Sequence, residues 1–245
     1  MSVRLRRRLF LAAAAGLSAL FVWALVGLPS FGDYRGPYGK VLNRVAVGER
    51  HATNVVAAVV WDYRGFDTVG EELILFTCVM GVALLLREAR DETVGRPRDA
   101  VESETVRAVG LVLIPLLVVM GLWVVAHGYL TPGGGFQGGV VLAGAAVLLY
   151  LCGSYRTFRR ATPYQLMDLA EGVSVGGFVA LGLATLAAGG AFLENLLPFG
   201  TRGTLHSSGT IAIENDLVGL AVAAAFAIVF IEFLEEVQAE RARTS

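Results

Sequence analysis

His127-Gly-Tyr-Leu-Thr-Pro-Gly-Gly-Gly-Phe-Gln-Gly-Gly139 decides how this chain folds. It lies between two almost purely apolar runs, residues 109–126 and 140–152, and contains no acid, lysine or arginine. Gly133, Gly134 and Gly135 make a poor helix, because glycine loses the most backbone entropy on ordering. Pro132 lacks an N–H and steers Thr131 away from helical dihedrals. Two apolar helices joined by a tight glycine link are therefore expected. At membrane depth every backbone N–H and C=O must find protein or water. The link is then either a plain helix–helix turn or a glycine-shaped wall against protein or a polar cavity.

Working outward, the chain has 245 residues, of which 55% are hydrophobic and 17% charged. Soluble domains carry about 25% charge, so this composition describes an all-α integral membrane protein. The formal net charge of −1 gives no basis for nucleic-acid binding. Cys78 and Cys152 stand alone in apolar runs and are read as buried thiols. His51, His127 and His206 are scattered. There is no phosphate-binding loop, no His-Glu-x-x-His and no nucleophile elbow. The expectation is no catalytic residue, no metal, no cofactor and no enzyme activity.

About six spans are expected, in a two-plus-four arrangement: residues 9–28, 69–86, 109–126, 137–155, 165–188 and 211–234. About twenty apolar residues suffice to cross the hydrocarbon layer. The first follows Arg4, Arg6, Arg7 and Arg8, as a signal peptide also would, but it is long for a signal sequence and is read as retained. Residues 29–67 read as a polar connector holding one short apolar run, 54–62, as strand or interfacial helix. Residues 87–107, with Arg96-Pro97-Arg98, read as a linker, so modules of 1–98 and 99–245 are expected. With both termini inside, fourteen of the twenty Lys+Arg fall on the cytoplasmic side. That bias predicts N-in, C-in topology in a multi-pass protein of the cell membrane.

Ionisable groups within spans are costly, and each is a functional hypothesis. Asp67 and Glu71, four apart, share a helix face at the start of the second span. Such a pair can exchange a proton near neutral pH or bind a hard cation, or it can simply cap a helix at the headgroup level. Glu72 adjoins them, and Glu232 lies near the end of the last span. Glu171 sits in the fifth span beside Gly172-x-x-x-Gly176, read as a close helix contact. Glu214 and Asp216 point to different faces and suit the positive end of a helix dipole. His127 ends the third span, as a structural residue or a relay. The relay candidates are Asp67, Glu71, Glu171, Glu214, Asp216 and His127. No span contains lysine, so this chain is not read as the main proton pump.

Thr131-Pro-Gly-Gly-Gly-Phe-Gln-Gly-Gly139 between two spans resembles the hallmark of the B subunit of Mrp-type (Mnh-type) Na⁺/H⁺ antiporters. Glu171 and Gly203-Thr-Leu-His-Ser-Ser-Gly-Thr-Ile211 extend that resemblance. Pro132, Gly133, Gly134, Gly135, Phe136, Gly138 and Gly139 are its structural motif. Thr53-Asn-Val-Val and Trp61-Asp-Tyr-Arg-Gly-Phe-Asp-Thr-Val-Gly-Glu71 resemble the C-terminal region of the antiporter's large A subunit. They also resemble the small E-type subunit of membrane-bound hydrogenases. The chain departs from the B pattern where Ser208 replaces alanine, Ala212 replaces proline and Glu214 adds an acid beside Asn215. The resemblance implies an accessory subunit of a monovalent cation/proton antiporter, with Na⁺ and H⁺ as ions and A-, C-, D-type and small subunits as partners. Its alternatives are a membrane-arm subunit of an ion-pumping redox complex such as a hydrogenase, and a purely structural spacer.

Overall fold

The structure is a computed structural model that describes residues 3–28, 36–88 and 103–244. Its helices are α1 (Val3–Val26), α2 (Pro37–Arg50), α3 (Val55–Ala58), α4 (Gly65–Glu88), α5 (Glu104–Ala126), α6 (Gly135–Cys152), α7 (Tyr155–Ala161), α8 (Tyr164–Ala187) and α9 (Thr210–Thr244). A π-turn, Val59–Tyr63, continues α3. Among the described residues the only strand-like pairing is an isolated bridge between Gly200 and Ser207. Among the described residues, six helical stretches are long and apolar enough to cross a membrane: Arg7–Val26, Gly65–Leu86, Glu104–Ala126, Gly135–Cys152, Tyr155–Ala187 and Thr210–Val237. The chain is an all-α, multi-pass membrane protein. The expected boundary at 98/99 and the Arg96-Pro97-Arg98 linker lie outside the described residues.

The chain divides into two units, Met1–Val41 and Leu42–Ser245. In the first, α1 leaves Phe10, Phe21 and Trp23 exposed, as suits a helix whose solvent is lipid or a partner protein. The second is built around α9, which packs against α4, α5, α6, α8 and the π-turn. Its small residues make that possible. Ala221, Ala224, Ala225 and Ala227 are buried with Val222, Ile228 and Ile231, so neighbours approach it from several sides.

The glycines of α6 divide between two neighbours. A Cβ on Gly135 would sit 2.1 Å from the Asn215 carbonyl oxygen, and one on Gly139 would sit 2.7 Å from that of Gly219. Four residues apart, these two glycines form the face on which α9 lies. A Cβ on Gly138 would meet the Gly121 carbonyl at 2.7 Å, so Gly138 faces α5. Gly144 has nothing within 4 Å. At the far end of α6, the Arg107 guanidinium donates to the carbonyls of Cys152 and Gly153 at 3.2 and 3.3 Å, filling acceptors that the helix leaves free.

Several expectations need correction. The fourth span begins at Gly135, two residues earlier than expected, so the third glycine of the run and Phe136 are helical. Close approach to α9 outweighs glycine's low helix propensity there. The polar connector contains α2, whose Leu42 and Ala46 are buried, and the 54–62 run is helical, not a strand. A cap explains the latter, since the Asn54 side chain accepts from the Val56 N–H at 3.1 Å. Gly172 and Gly176 meet nothing within 4 Å, so they form no close contact inside the chain; Gly182, against the Phe192 ring, does. Cys152 is buried as expected, but Cys78 is exposed.

A methyl group is a direct test of the α6–α9 contact. Gly135→Ala and Gly139→Ala should destabilise the fold by about 1–3 kcal/mol or more through overpacking. Gly144→Ala should be silent. Thermal unfolding of the purified protein, with folded yield from membranes, reads the difference.

Candidate functional site: a cavity beside the glycine link

Two asparagines hold the link. Gly133 and Gly134 adopt φ of 143° and 150°, which explains why both must be glycine. Buried Asn215 then bridges the two helices. Its side-chain oxygen accepts from the Gly135 N–H at 2.7 Å, and its amide donates to the Val125 carbonyl at 2.6 Å. One side chain thus satisfies the orphan N–H at the start of α6 and braces the last turn of α5. From the other side, the Asn54 amide donates to the carbonyls of Gly128 and Thr131 at 2.6 and 3.1 Å. The Asn54 N–H donates to the Tyr129 carbonyl at 3.1 Å, and the Thr53 hydroxyl to Leu130 at 2.5 Å.

Beneath this braced link lies a cavity of about 310 Å³. Gly128, Gly133, Gly134 and Gln137 wall it on one side, Thr68, Glu71 and Glu72 on another, with Trp61, Phe136 and Val218 among its apolar walls. The link is therefore one wall of a mostly apolar cavity into which a few polar groups are set. Glu72 is buried at 5% exposure, and its charge interacts with those of Glu71 and Glu171. Glu171 is 2% exposed, and its Oε1 has no hydrogen-bond partner. Beside it the Ser174 hydroxyl is spent on the Ala170 carbonyl at 2.6 Å. Buried carboxyl oxygens with spare acceptor capacity can hold a proton or help strip water from a small cation.

Of the relay candidates, Glu71 lines the cavity but is exposed. Asp67 is exposed too and pairs with Arg64 within its own turn. The expected Asp67–Glu71 pair is thus no buried couple: the neighbour at Glu72 faces inward instead. A helix places consecutive residues about 100° apart, and the contacts of α4 with α9 decide which carboxylate turns in. His127 ends α5, its Nδ1 3.0 Å from the Trp123 carbonyl and its ring stacked on Trp123 at 4.8 Å. Both contacts are local, which favours its structural reading. Phe136 is half exposed and meets Phe226 edge-on at 6.5 Å. Pro132 lies exposed in the link. Asp216 is exposed, whereas Glu214 is 1% exposed with an unpartnered Oε2. Glu232 is fully buried near the other end of α9. No group of three or more His, Cys, Asp or Glu among the described residues is arranged to hold a metal ion.

Sequence reasoning missed Asn54 and Asn215 as site residues, and also Arg50 and Asp62. Arg50 Nε donates to Asp62 Oδ1 at 2.6 Å, while the guanidinium lies 4.6 Å above the Tyr63 ring. Burial pushes the Asp62 carboxyl above its ordinary range, and the Arg50 bond only partly pulls it back. Tyr63 is pushed up to about 12 by burial and by its hydrogen bond to Glu49. The available signal was the position of Asp62 at the end of an apolar run.

Residues 105–228 match the family described as "Domain related to MnhB subunit of Na+/H+ antiporter", and residues 3–101 match the family of the E subunit of MBH. The chain belongs to the first of these families, as the glycine motif implied. Its fold is similar to a chain in the structure of the membrane-bound sulfane sulfur reductase, an archaeal respiratory membrane complex. The TM-score is 0.73 at 31% identity, covering 94% of this chain and 98% of that one. It is also similar to a chain of the Mrp complex from Dietzia sp. DQ12-45-1b, with TM-score 0.70 at 26% identity, over 95% of this chain and 26% of that one. An uncharacterized protein of Methanocaldococcus jannaschii is 28% identical over 208 residues, 75% of this chain and 78% of its own length.

The brace is testable. Asn215→Ala strands the Gly135 N–H in a buried site and should cost about 1–3 kcal/mol. Asn215→Asp keeps the acceptor facing Gly135 but loses the donor facing Val125, and should also destabilise. Thermal unfolding of the purified protein measures both, and wild-type melting in Asn215→Ala would show that the brace carries no stability.

Proposed function

We propose that this chain is a non-enzymatic subunit of a multisubunit complex that moves monovalent cations against protons across the cell membrane, with Na⁺ and H⁺ as its ions. The cavity beneath the glycine link is a station on that ion path. One observation carries the reading: a cavity beside the glycine link with Glu71 and Glu72 in its wall, and the buried Glu171 within electrostatic range of Glu72. A membrane protein keeps buried acids where function demands them. Family membership and the similarity to the Mrp complex chain support antiport as the activity. With six spans, fourteen of the twenty Lys+Arg of the sequence fall in the segments assigned to one side, which supports N-in, C-in orientation. Partners would be A-, C- and D-type and small antiporter subunits, which would cover the apolar faces left exposed.

A second reading has its own support. Similarity to the sulfane sulfur reductase chain spans nearly all of both chains, at higher identity. On that reading the chain sits in the membrane arm of an ion-pumping redox complex and carries no redox centre itself. Isolation of the native complex separates the two: iron–sulfur absorption and transport driven by an electron donor belong to the second, exchange driven by a pH gradient alone to the first.

Glutamine keeps shape and hydrogen bonding but cannot carry a proton. Glu72→Gln should abolish most Na⁺/H⁺ exchange in everted vesicles while the complex still assembles on native gels. Glu171→Gln should do the same. Glu71→Gln, at an exposed position, should lose a smaller part. Wild-type rates and pH profiles in Glu72→Gln and Glu171→Gln would leave a structural spacer as the function.

A further inference from the structure

A second pair of buried acids is not among the residues that line the cavity, although Trp61 and Val218 beside it are. Asp62 is in the π-turn and Glu214 in the second turn of α9, and these two elements pack together. The side chain of Asp62 is 5% exposed, and Glu214 is 1% exposed. Each has one carboxyl oxygen, Asp62 Oδ2 and Glu214 Oε2, that is buried with no hydrogen-bond partner. The charge of Asp62 acts on Glu214. Asp62 Oδ1 is already taken by Arg50 at 2.6 Å. Asp62 also accepts from the Asn195 N–H, so the pair keeps two spare acceptor oxygens in a buried site, with Arg50 as the cation paired with it among the described residues.

The described residues place further charged groups around this pair. Arg50 comes from α2, with Glu49 next to it at 3.9 Å and Tyr63 bonded to Glu49 at 2.5 Å. Glu194, from the loop between α8 and α9, acts on Asp62. Its Oε2 accepts from the Ala191 N–H at 2.8 Å. Arg50 balances one carboxylate of the buried pair and not both. Two buried carboxylates facing one fixed cation cannot both stay ionised cheaply, so one of them takes a proton.

We infer that Asp62 and Glu214 form a proton-binding site in which one proton is shared between two carboxyl groups, with Arg50 fixing which of them is ionised. In the resting arrangement Asp62 is the carboxylate held by Arg50 and Glu214 carries the proton. Transfer breaks the O–H bond on Glu214 and forms one on Asp62 Oδ2, directly or through a water. The negative charge moves the opposite way, and Arg50 keeps its proton throughout. Nothing is oxidised or reduced. Neither carboxyl is part of the cavity wall, and the site does not depend on which ion the complex transports.

The test is infrared difference spectroscopy on the purified complex, titrated with pH in H₂O and D₂O. The wild type should show a protonated-carboxyl carbonyl band that titrates and shifts in D₂O. Glu214→Gln should lose that band, and Glu214→Asp, which keeps a titratable group, should retain one. Asp62→Asn removes the partner charge and should move the midpoint of the Glu214 band by about one pH unit or more. Arg50→Gln should move the distribution of the proton toward Asp62, seen as a second carboxyl band absent from the Arg50→Gln, Asp62→Asn double variant. Wild-type spectra in Glu214→Gln overturn the site. Loss of the band in Glu214→Gln with an unmoved midpoint in Asp62→Asn overturns the pairing. Failure of Na⁺/H⁺ exchange in the wild-type complex with these bands present rejects the transport reading and leaves the proton site standing.

Discussion

Asn215 makes the glycine link possible. A helix that ends and another that begins at membrane depth leave carbonyls and N–H groups that lipid cannot satisfy. Here one buried side chain meets both, with its oxygen on Gly135 and its nitrogen toward Val125. For its short amide to reach, α6 and α9 must nearly touch, and glycines at 135, 139 and 219 permit that. The same closeness fixes Gly128, whose Cβ would fall 2.5 Å from the Asn215 side-chain oxygen. Much of the glycine pattern therefore follows from the reach of one asparagine.

The spans were legible because hydropathy over about twenty residues is a strong signal, and five of the six lie close to where composition puts them. The start of α6 was not, because propensity argues against Gly135 in a helix while the contact that overrides it comes from residue 215. The helix α2 was hidden for a similar reason: its buried face is narrow, and charge and glycine dominate its composition. In the candidate site, the sequence pointed to Asp67 and Glu71 on α4, whereas the structure buries Glu72, since that choice depends on which face meets α9. Gly172 and Gly176 illustrate the converse: the spacing is that of a packing motif, yet the contact lies outside this chain or nowhere.

The acids of the membrane region are distributed unevenly. Glu72, Glu171, Glu214 and Glu232 are buried within spans, while the chain's one lysine, Lys40, lies outside them. On the proposed reading, acids without alternating lysines would hold protons and cations but would not drive them by moving fixed positive charges, and the driving charge movements would belong to partners. Arg50 pairs with Asp62 outside the membrane-spanning stretches.

The two matched regions, 3–101 and 105–228, are not merely strung together. Asn54 and Thr53, from the first, hold the carbonyls of Gly128, Tyr129, Leu130 and Thr131, from the second. Those four carbonyls belong to the segment between two spans, where no helix partner exists for them. The glycine link is thus completed on one face by α9 and on the other by the residues that cap α3. The cavity lies between those two supports, so its acidic wall from α4 and its glycine wall from the link come from different regions. Separating the regions would leave the link's carbonyls bare and remove Glu72 from the cavity at once. Their fusion in one chain fixes the cavity's geometry within a single folding unit, and the similar Dietzia chain, which this one covers for only 26% of its length, carries the same fold inside a longer polypeptide.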